Sequence, residues 1–333
     1  MERKPTFTGE GMDAIHFDGQ VAVVTGAGGG IGEAIARELA VRGAHVLVND
    51  YGGDTSGAAG TAARAERVAA ELRALGAQAA ADGTPVGTPE AARAIVGAAM
   101  RTFGRLDMLV NNAGIALPGL MTDYSDAQIA NAFRTNLLGP YALVRAAWPI
   151  MREQGYGRIL NTSSNSAFGI GANAPYSATK AGLLGLTLDA AVEGKPHGIL
   201  VNAVMPTAFT RMIEQIPDEH FVAWFRRHFP AAKVALGILP LLGRASSITG
   251  RIYAVGGGRL ARVAFTEARG WVERDITPEL AAAHFGDAED MTGAAILDTQ
   301  AESMMLFTEH FPFEGRAAPG LAQDAVVGAG KKA

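Results

Sequence analysis

Short runs of β-branched and other apolar residues alternate along the chain with longer segments in which alanine, leucine and charged residues mix at helical spacing. The runs predict buried strands and the longer segments predict helices. The predicted strands are Val21–Thr25, Ala44–Asn49, Gln78–Ala81, Leu106–Asn111, Arg158–Thr162 and Leu200–Val204. The predicted helices are Ile31–Arg42, Thr61–Leu75, Pro89–Phe103, one or two helices over Ser125–Met151, and Tyr176–Glu193. This alternation implies right-handed βαβ units, so we expect an α/β fold with a doubly wound parallel sheet and helices on both faces.

Stretches of different composition predict three parts of the chain. Residues 1–17 are polar and interrupted by glycine and proline, which predicts an N-terminal arm. Residues 18–260 carry the alternating pattern and predict one domain, with a lid at about residues 207–245. The pattern fades in residues 261–333, which we expect to pack as an extension on the same domain or on a neighbouring subunit. The tail of that extension holds Met304, Met305, Phe307, Phe311 and Phe313, which are too apolar to stay in solvent.

Composition narrows the classes of function. Hydrophobic residues make up 48% of the 333 residues, as in a folded enzyme with a large core, and the net charge of −4 argues against nucleic-acid binding. The absence of cysteine excludes disulfides and thiolate metal sites, and none of the seven histidines has metal-ligand spacing, so we expect no metal. No apolar run reaches the roughly 20 residues of a membrane span, and the N-terminus lacks the apolar core of a signal peptide. We therefore expect a cytoplasmic protein with a small-molecule substrate.

A glycine-rich loop follows the first predicted strand and leads into the first predicted helix. It reads Thr25-Gly26-Ala27-Gly28-Gly29-Gly30-Ile31-Gly32. Glycines allow a tight turn and let backbone N–H groups approach a pyrophosphate, and the helix N-terminus adds unsatisfied donors. We expect Gly26, Gly30, Ile31 and Gly32 to bind a dinucleotide in a Rossmann-type fold.

Asp50 stands at the end of the second predicted strand, twenty positions after Gly30. A carboxylate there can accept hydrogen bonds from both ribose hydroxyls of a dinucleotide. It would also repel a 2′-phosphate, and no Arg or Lys lies in the glycine loop or directly after Asp50. These features predict NAD rather than NADP. The alternative is that Asp50 is a turn residue before Gly52-Gly53.

Tyr176 and Lys180 are spaced to lie one helical turn apart on the same face. A tyrosine ordinarily ionises near pH ~10, and a nearby ammonium favours the phenolate, which brings the pKa towards the working range of a general base. The pair lies downstream of Ser163-Ser164 at the end of a predicted strand. A serine hydroxyl beside the phenol can hold the substrate oxygen and stabilise developing negative charge.

Together these motifs resemble the short-chain dehydrogenase/reductase family over about residues 15–260. The motifs that carry the resemblance stand in family order: the glycine loop, Asn111-Asn112-Ala113-Gly114, Asn136, the serine and Tyr176-Ser177-Ala178-Thr179-Lys180. The family implies a Rossmann-type fold and hydride transfer between a nicotinamide cofactor and a secondary alcohol or ketone.

The resemblance also implies a role for individual residues. Tyr176 would be the general acid/base, and Lys180 would bind the nicotinamide ribose and lower the pKa of the tyrosine. Asn136 would hold a water in a proton relay. Asp82 would contact the adenine, and Asn112 would lie along the adenosine half of the cofactor.

Two neighbouring serines compete for the place of the family serine. Ser164 lies six residues after Arg158, which is the family register along the strand, but twelve before Tyr176, where thirteen is usual. Ser163 has the usual spacing to Tyr176 and the wrong strand register. A slip of one residue would turn every strand side chain to the opposite face, whereas a loop tolerates a deletion. We favour Ser164.

Three local stretches are more particular, namely residues 49–54, 205–212 and 253–258. They resemble the (3R)-hydroxyacyl-CoA dehydrogenase domain of peroxisomal multifunctional enzyme type 2 and its bacterial relatives. This branch implies NAD-linked oxidation of a 3-hydroxyacyl-CoA or of a sterol-type alcohol, with the backbone of Phe209 against the nicotinamide carboxamide.

The chain departs from that branch on the substrate side. Thr207 and Phe209 replace other residues, and the loop between the serine and Tyr176 is shorter. A 3-hydroxyacyl-CoA and a bulky free alcohol, such as a steroid or terpenoid, therefore both stay open. A third hypothesis, a non-catalytic NAD-binding sensor or scaffold, gives no reason to keep the proton-relay residues. The chain also ends without a peroxisomal targeting tripeptide.

An aromatic stripe at helical spacing follows the predicted cofactor loops and comprises Phe221, Trp224, Phe225, His228 and Phe229. It predicts either a helix packed on the core or a lid over an apolar substrate. Arg226, Arg227 and Lys233 nearby would either meet the phosphates of CoA or form a solvated face. Two segments, Leu137–Met151 and Tyr176–Glu193, are apolar on more than one face, which predicts a homodimer or homotetramer.

Overall fold

The computed structural model describes residues 15–54, 56–58, 60–214, 216–308 and 310. Most of the predicted N-terminal arm, and Phe311 and Phe313 of the predicted apolar extension, lie outside these residues. The chain divides into two compact units, and the boundary falls after Val263. No helix in the described part of the chain is long and apolar enough to cross a membrane.

The first unit is built on an eight-stranded sheet in the order β3-β2-β1-β4-β5-β6-β7-β8. Every neighbouring pair is parallel except the last, in which β8 runs antiparallel to β7. The strands are β1 Val21–Thr25, β2 His45–Asn49, β3 Ala79–Asp82, β4 Met108–Asn111, β5 Gly157–Thr162, β6 Ile199–Pro206, β7 Ile252–Gly256 and β8 Arg259–Val263.

Helices cover both faces of this sheet. Side chains of α1, α2 and α9 form one apolar core with the sheet, and side chains of α3, α5 and α6 form the other. The helices of the unit are α1 Gly30–Ala40, α2 Ala63–Ala74, α3 Pro89–Phe103, α4 Asp126–Phe133, α5 Gly139–Gln154, α6 Ala174–Gly194, α7 Arg211–Glu214, α8 Glu219–His228 and α9 Ala231–Leu242. A π-helical segment, Arg134–Leu138, joins α4 to α5.

The sequence prediction of a doubly wound Rossmann-type α/β sheet is confirmed. Its strands are continuous apolar runs because both faces are buried, and all five residues of β1 are buried. The order of the strands reverses between β1 and β4, and such a reversal opens a crevice at the carboxyl ends of the strands. The fold therefore places the loops after β1, β2, β4 and β5 around one crevice.

The predicted bounds agree with the observed ones to within two residues for most elements. Two strands of this sheet, β7 and β8, were not predicted, although β7 lies within residues 18–260, which carry the alternating pattern. Since β8 ends at Val263, the predicted domain limit at residue 260 falls inside a strand. The segment predicted as one or two helices over Ser125–Met151 contains α4, the π-helical segment and α5.

The described part of the second unit contains a two-stranded antiparallel sheet and three short helices. The strands are β9 Phe265–Glu267 and β10 Ala295–Leu297, and the helices are α10 Pro278–Ala283, α11 Phe285–Ala288 and α12 Gln300–Thr308. The rings of Trp271 and His284 stack with their centroids 4.4 Å apart. No described residue of this unit is buried. The predicted packing of residues 261–333 on the same domain or on a neighbouring subunit stays a prediction.

Candidate active site

A cavity of about 890 Å³ lies at the carboxyl edge of the sheet in the first unit. Eight of the sequence-predicted site residues line it: Gly26, Gly30, Ile31, Asp50, Asn112, Ser164, Tyr176 and Lys180. Four do not line it: Gly32, Asp82, Asn136 and Phe209. The cleft thus runs from the glycine loop to the tyrosine–lysine pair. Within the described residues, no group of three or more His, Cys, Asp or Glu side chains could hold a metal ion.

The glycine loop depends on close backbone approach at two positions. A Cβ on Gly32 would lie 2.3 Å from the carbonyl oxygen of Gly26, so only glycine lets α1 begin this near to the loop. A Cβ on Gly28 would lie 2.7 Å from the carboxyl carbon of Asp50. Gly32 therefore packs against the backbone of Gly26 and does not line the cleft.

The carboxylate of Asp50 bridges two loops. One oxygen accepts the backbone N–H of Gly28 at 2.8 Å, and the other accepts the N–H of Gly52 at 2.6 Å. The bond to Gly52 is the local turn role that the sequence analysis considered. The bond to Gly28 is a long-range contact that holds the carboxylate beside the glycine loop and inside the cleft.

Two arginines of α2 reach the same loops and were missed by the sequence analysis. Arg64 donates to the carbonyl oxygen of Gly53 at 3.1 Å, and Arg67 donates to the carbonyl oxygen of Gly28 at 3.1 Å. The sequence search covered only cations in the glycine loop and directly after Asp50. The usable signal was the spacing of these arginines, three residues apart on the first turns of the next helix.

Asn112 joins the loop after β4 to the loop after β1. Its side-chain amide donates to the carbonyl oxygens of Thr25 and Gly26 at 2.9 and 3.2 Å. The hydroxyl of Thr25 in turn accepts the backbone N–H groups of Asn112 and Ala113. These bonds fix the width of the crevice where the strand order reverses.

Asp82 lies behind the cleft. Its carboxylate accepts the side-chain amide of Asn49 at 2.7 Å and the backbone N–H of Thr84 at 2.9 Å, which shapes the turn after β3. The residues that line the cleft at this end are Pro85, Val86 and Gly87. The adenine contact expected of Asp82 thus stays a prediction, and the structure brings the residues that follow it to the cleft.

Lys180 is buried beneath Tyr176. Its ammonium donates to the carbonyl oxygen of Thr162 at 2.6 Å and lies 5.5 Å from the centroid of the Tyr176 ring. Because water is excluded from the ammonium, the pKa of Lys180 falls from 10.5 to about 8. The chain thus holds a cation within reach of the phenol at neutral pH.

Tyr176 lines the cleft one helical turn before Lys180. Burial raises the pKa of Tyr176 above its ordinary value of 10, and a hydrogen bond with Ser164 acts in the opposite direction. The sequence analysis expected the ammonium of Lys180 to lower the pKa of Tyr176. In the structure, removal of water from the phenol outweighs the other effects on this pKa.

The two serines point in different directions. The hydroxyl of Ser163 donates to the carbonyl oxygen of Lys180 at 2.7 Å and is occupied by this structural bond. The hydroxyl of Ser164 interacts with Tyr176 and accepts the backbone N–H of Ser166 at 3.1 Å. Ser164 therefore is the serine whose hydroxyl lies with the phenol.

Asn136 lies in the π-helical segment and is fully buried. Its amide exchanges two hydrogen bonds with the backbone of Ile115, both 2.8 Å long, and approaches the hydroxyl of Thr179 at 3.4 Å. A π-helical segment inside a helix is common at functional sites. The side chain fixes the loop after β4 against α6, and the relay water expected at Asn136 stays a prediction.

The loop after β6 borders the other side of the cleft. The backbone N–H of Phe209 donates to the carbonyl oxygen of Phe229 at 2.7 Å, and its ring lies 4.8 Å below the guanidinium of Arg226. The residues of this loop that line the cleft are Pro206, Thr207, Ala208 and Thr210. The expected contact of Phe209 with a carboxamide stays a prediction, since its N–H already has a partner.

The predicted aromatic stripe forms α8 and the residue after it. Phe225 is buried and lines the cleft, whereas Phe221 and Trp224 are 37% and 49% exposed. Arg226 pairs with Glu214 at 3.3 Å as well as lying over Phe209, which ties α8 to the segment before it. The helix therefore packs partly on the cleft and partly faces outward.

Comparison with known proteins agrees with this geometry. A sequence model described as short chain dehydrogenase matches residues 20–220. The chain is 37% identical over 294 residues to peroxisomal multifunctional enzyme type 2 of Mus musculus, which covers 87% of this chain and 39% of that protein. A peroxisomal hydratase-dehydrogenase-epimerase of Neurospora crassa is 36% identical over 259 residues, 78% of this chain and 28% of that protein. The chain thus spans well under half the length of these two relatives.

Two relatives of similar length and one longer solved structure support the same family. A short-chain type dehydrogenase/reductase of Mycobacterium tuberculosis is 37% identical over 280 residues, which cover 83% of this chain and 96% of that protein. A solved short chain dehydrogenase from Mycobacterium avium is 33% identical, with a TM-score of 0.70 over 82% of this chain and 97% of that chain. Full-length peroxisomal multifunctional enzyme type 2 from Drosophila melanogaster gives a TM-score of 0.73 at 27% identity, over 89% and 50% of the two chains. The chain belongs to the short-chain dehydrogenase family of oxidoreductases.

Proposed function

We propose that the protein is a NAD-dependent dehydrogenase that interconverts a secondary alcohol and a ketone, and that its substrate is a 3-hydroxyacyl-CoA. The observation that carries the proposal is the meeting of Ser164, Tyr176 and Lys180 at one end of a cleft that holds Asp50 and the glycine loop at the other. This layout suits a dinucleotide laid along the carboxyl edge of the sheet. The relative named a hydratase-dehydrogenase-epimerase supports dehydrogenase chemistry.

The residues of the cleft fit a nicotinamide dinucleotide. The glycine loop has no Cβ atom at Gly28 and Gly32, where neighbouring atoms lie closest to its backbone, and it leads into the N-terminus of α1. Asp50 offers a carboxylate for the ribose hydroxyls and would repel a 2′-phosphate, which supports NAD over NADP. When bound, the nicotinamide exchanges a hydride with the carbon that carries the substrate oxygen.

Tyr176 moves the proton in this proposal. In the oxidation direction its phenolate takes the proton of the carbinol hydroxyl, and in the reduction direction its phenol returns it. The ammonium of Lys180 lies 5.5 Å from the ring and favours the phenolate, against the burial that raises the pKa of Tyr176. Lys180 also has donors left beyond its bond to Thr162 that suit a ribose hydroxyl.

Ser164 holds the substrate oxygen. Its hydroxyl accepts the N–H of Ser166, and its own proton, shared with the side-chain oxygens of Asn165 and Ser166, turns to the substrate oxygen beside Tyr176 when the substrate binds. A donor aimed at the place where negative charge develops lowers the barrier more than it strengthens substrate binding. Asn136 supports this machinery through Ile115 and Thr179.

The substrate end of the cleft combines apolar and polar walls. Ile170, Ile213 and Phe225 supply apolar surface suited to an acyl chain. Arg226 pairs with Glu214 and lies over the ring of Phe209. Arg227 and Lys233 are exposed and are the cations that we propose for the CoA phosphates. A bulky free alcohol would use the apolar wall alone.

Steady-state kinetics test the proposal. Formation of the reduced cofactor, NADH or NADPH, is measured with a 3-hydroxyacyl-CoA and with a bulky neutral secondary alcohol, each with NAD and with NADP. We expect turnover with NAD and the CoA ester, at a KM that rises with salt because exposed charge pairs are screened over about 10 Å at ~0.1 M salt. Preference for NADP would overturn the cofactor assignment, and faster turnover of the free alcohol would overturn the substrate assignment.

We also propose a homodimer or homotetramer formed through α5 and α6. Exposed apolar side chains follow one face of the α5 region at helical spacing, including Leu138 and Tyr141, which are 55% and 53% exposed. Along α6 the exposed positions include the small or apolar residues Ala181, Gly185 and Val192, together with the charged residues Asp189 and Glu193 towards the end of the helix. Such faces suit a self-complementary helix pair. A cytoplasmic location stays a prediction.

A further inference from the structure

Asn173 occupies the position before α6 where asparagine usually caps a helix. The side chains of Thr88, Ser125 and Asp218 accept backbone N–H groups of the helices that they precede. The side chain of Asn173 makes no such bond. Its amide is therefore kept from the role that the local sequence favours.

The same amide has no partner among the described residues, although most of the residue is buried. Asn173 is 7% exposed, and its side chain makes no hydrogen bond with any described residue. It lines the cleft beside Tyr176, and it also lines a cavity of about 10 Å³ that the ring of Tyr176 borders. The atoms of the amide are open to the cleft, so a polar group of a bound molecule can pair with them.

The neighbouring polar groups do not supply that partner. Ser164, Asn165 and Ser166 are bonded to one another, since the Ser164 hydroxyl lies 3.3 Å from the Asn165 oxygen and 3.1 Å from the Ser166 hydroxyl. These three side chains and Tyr176 surround the place of the substrate oxygen. The amide of Asn173 is left to meet a second polar group of the substrate.

We propose that Asn173 binds the oxygen of a carbonyl group whose carbon lies two bonds from the reacting carbon, so that the substrate class is a 3-hydroxyacyl or 3-oxoacyl thioester. This inference rests on the proposed dehydrogenase function and deepens it. The side-chain NH₂ donates to the thioester carbonyl while Ser164 and Tyr176 hold the reacting oxygen. An isolated secondary alcohol leaves the amide unpaired, so Asn173 selects against it.

A matched pair of substrates tests the contact. One is a 3-hydroxyacyl thioester of N-acetylcysteamine, and the other is the corresponding thioether, in which CH₂ replaces the carbonyl. Both are assayed with NAD on the unchanged protein, Asn173→Leu, Asn173→Ala and the control Ile170→Ala, which alters an apolar residue lining the same cleft. Thermal unfolding of each variant reports whether it folds.

For Asn173→Leu and Asn173→Ala we expect kcat/KM for the thioester to fall about tenfold, mainly through KM, because one neutral hydrogen bond is lost. The thioether should change at most about twofold. Ile170→Ala should affect both substrates alike. Equal losses on the two substrates, or no loss on the thioester, would overturn the inference. Failure of the unchanged protein to oxidise either substrate would instead overturn the proposed function.

Discussion

Replacing Lys180 with methionine tests two effects of the buried ammonium. We expect the ammonium to lower the stability of the folded protein and to be required for activity. Lys180 is 3% exposed, and burial lowers its pKa from 10.5 to about 8. Folding at neutral pH therefore removes a charged group from water without a carboxylate partner. An unbranched apolar side chain of similar length avoids that cost and also removes the group that favours the Tyr176 phenolate.

The direction of the pH effect follows from the lowered pKa. Between about pH 8 and 10.5 the unfolded chain still carries the Lys180 proton and the folded chain has lost it, so stability rises with pH in that window. At about 1.4 kcal/mol per pKa unit, the ammonium costs about 3 kcal/mol below pH 8. About 2 kcal/mol of this cost disappears between pH 7 and pH 9.5. In the variant, loss of the hydrogen bond to Thr162 lowers the stability by about 2 kcal/mol at every pH, and this loss offsets part of the gain from removing the ammonium.

We therefore expect Lys180→Met to be more stable than the unchanged protein by about 1 kcal/mol at about pH 7 and less stable by about 1 kcal/mol at about pH 9.5. Turnover should fall by several orders of magnitude. Urea unfolding at the two pH values measures the stabilities, and Lys195→Met, at an exposed lysine, serves as the control and should show no such crossover. A stability difference that does not change with pH would refute the reasoning.

The other expectations concern the proton transfer, the cofactor, the core and the assembly. Tyr176→Phe should keep NADH affinity while turnover falls by several orders of magnitude, and a variant that keeps a tenth of the activity would rule out the proton-transfer role. In a fluorescence titration, Asp50→Asn should bind NADH more weakly than the unchanged protein and should bind NADPH. If the double variant Asp50→Asn/Arg64→Met no longer binds NADPH, the 2′-phosphate contact is assigned to Arg64. Asp107→Ala removes a buried carboxylate that accepts three hydrogen bonds, so urea unfolding should show a loss of about 3 kcal/mol. Tyr141→Asp should yield monomers in light scattering; an unchanged mass would exclude the α5 face from the assembly.

The elements of the sheet could be predicted because their pattern is local. Each central strand is buried on both faces and therefore reads as an unbroken apolar run, as in Val21–Thr25. The helix of Pro89–Phe103 was predicted with its bounds, since Thr88 and Pro89 mark its start and Gly104 its end. By contrast, β8 pairs antiparallel with β7 at the edge of the sheet, and the pattern of its own five residues does not predict that pairing.

The candidate site could be predicted as far as its motifs are contiguous. The register of β5 turns the hydroxyl of Ser164 to Tyr176, while the adjacent Ser163 turns to the backbone of Lys180, in line with the argument from strand register. The roles of Asp82 and Phe209 came from the family resemblance. The structure brings neither into the cleft, because Asp82 shapes a turn and the N–H of Phe209 is bonded to Phe229.

By itself the sequence determined the alternation of strands and helices, the glycine loop and the helical pairing of Tyr176 with Lys180, since each depends on residues within about one turn or one strand of each other. Only the tertiary structure decided which groups from distant segments meet. It brought Arg64 and Arg67 to the loops after β2 and β1, and it left the amide of Asn173 in the cleft without a hydrogen-bond partner among the described residues. Burial and hydrogen-bond partners are properties of the packed chain, so no local pattern contains them.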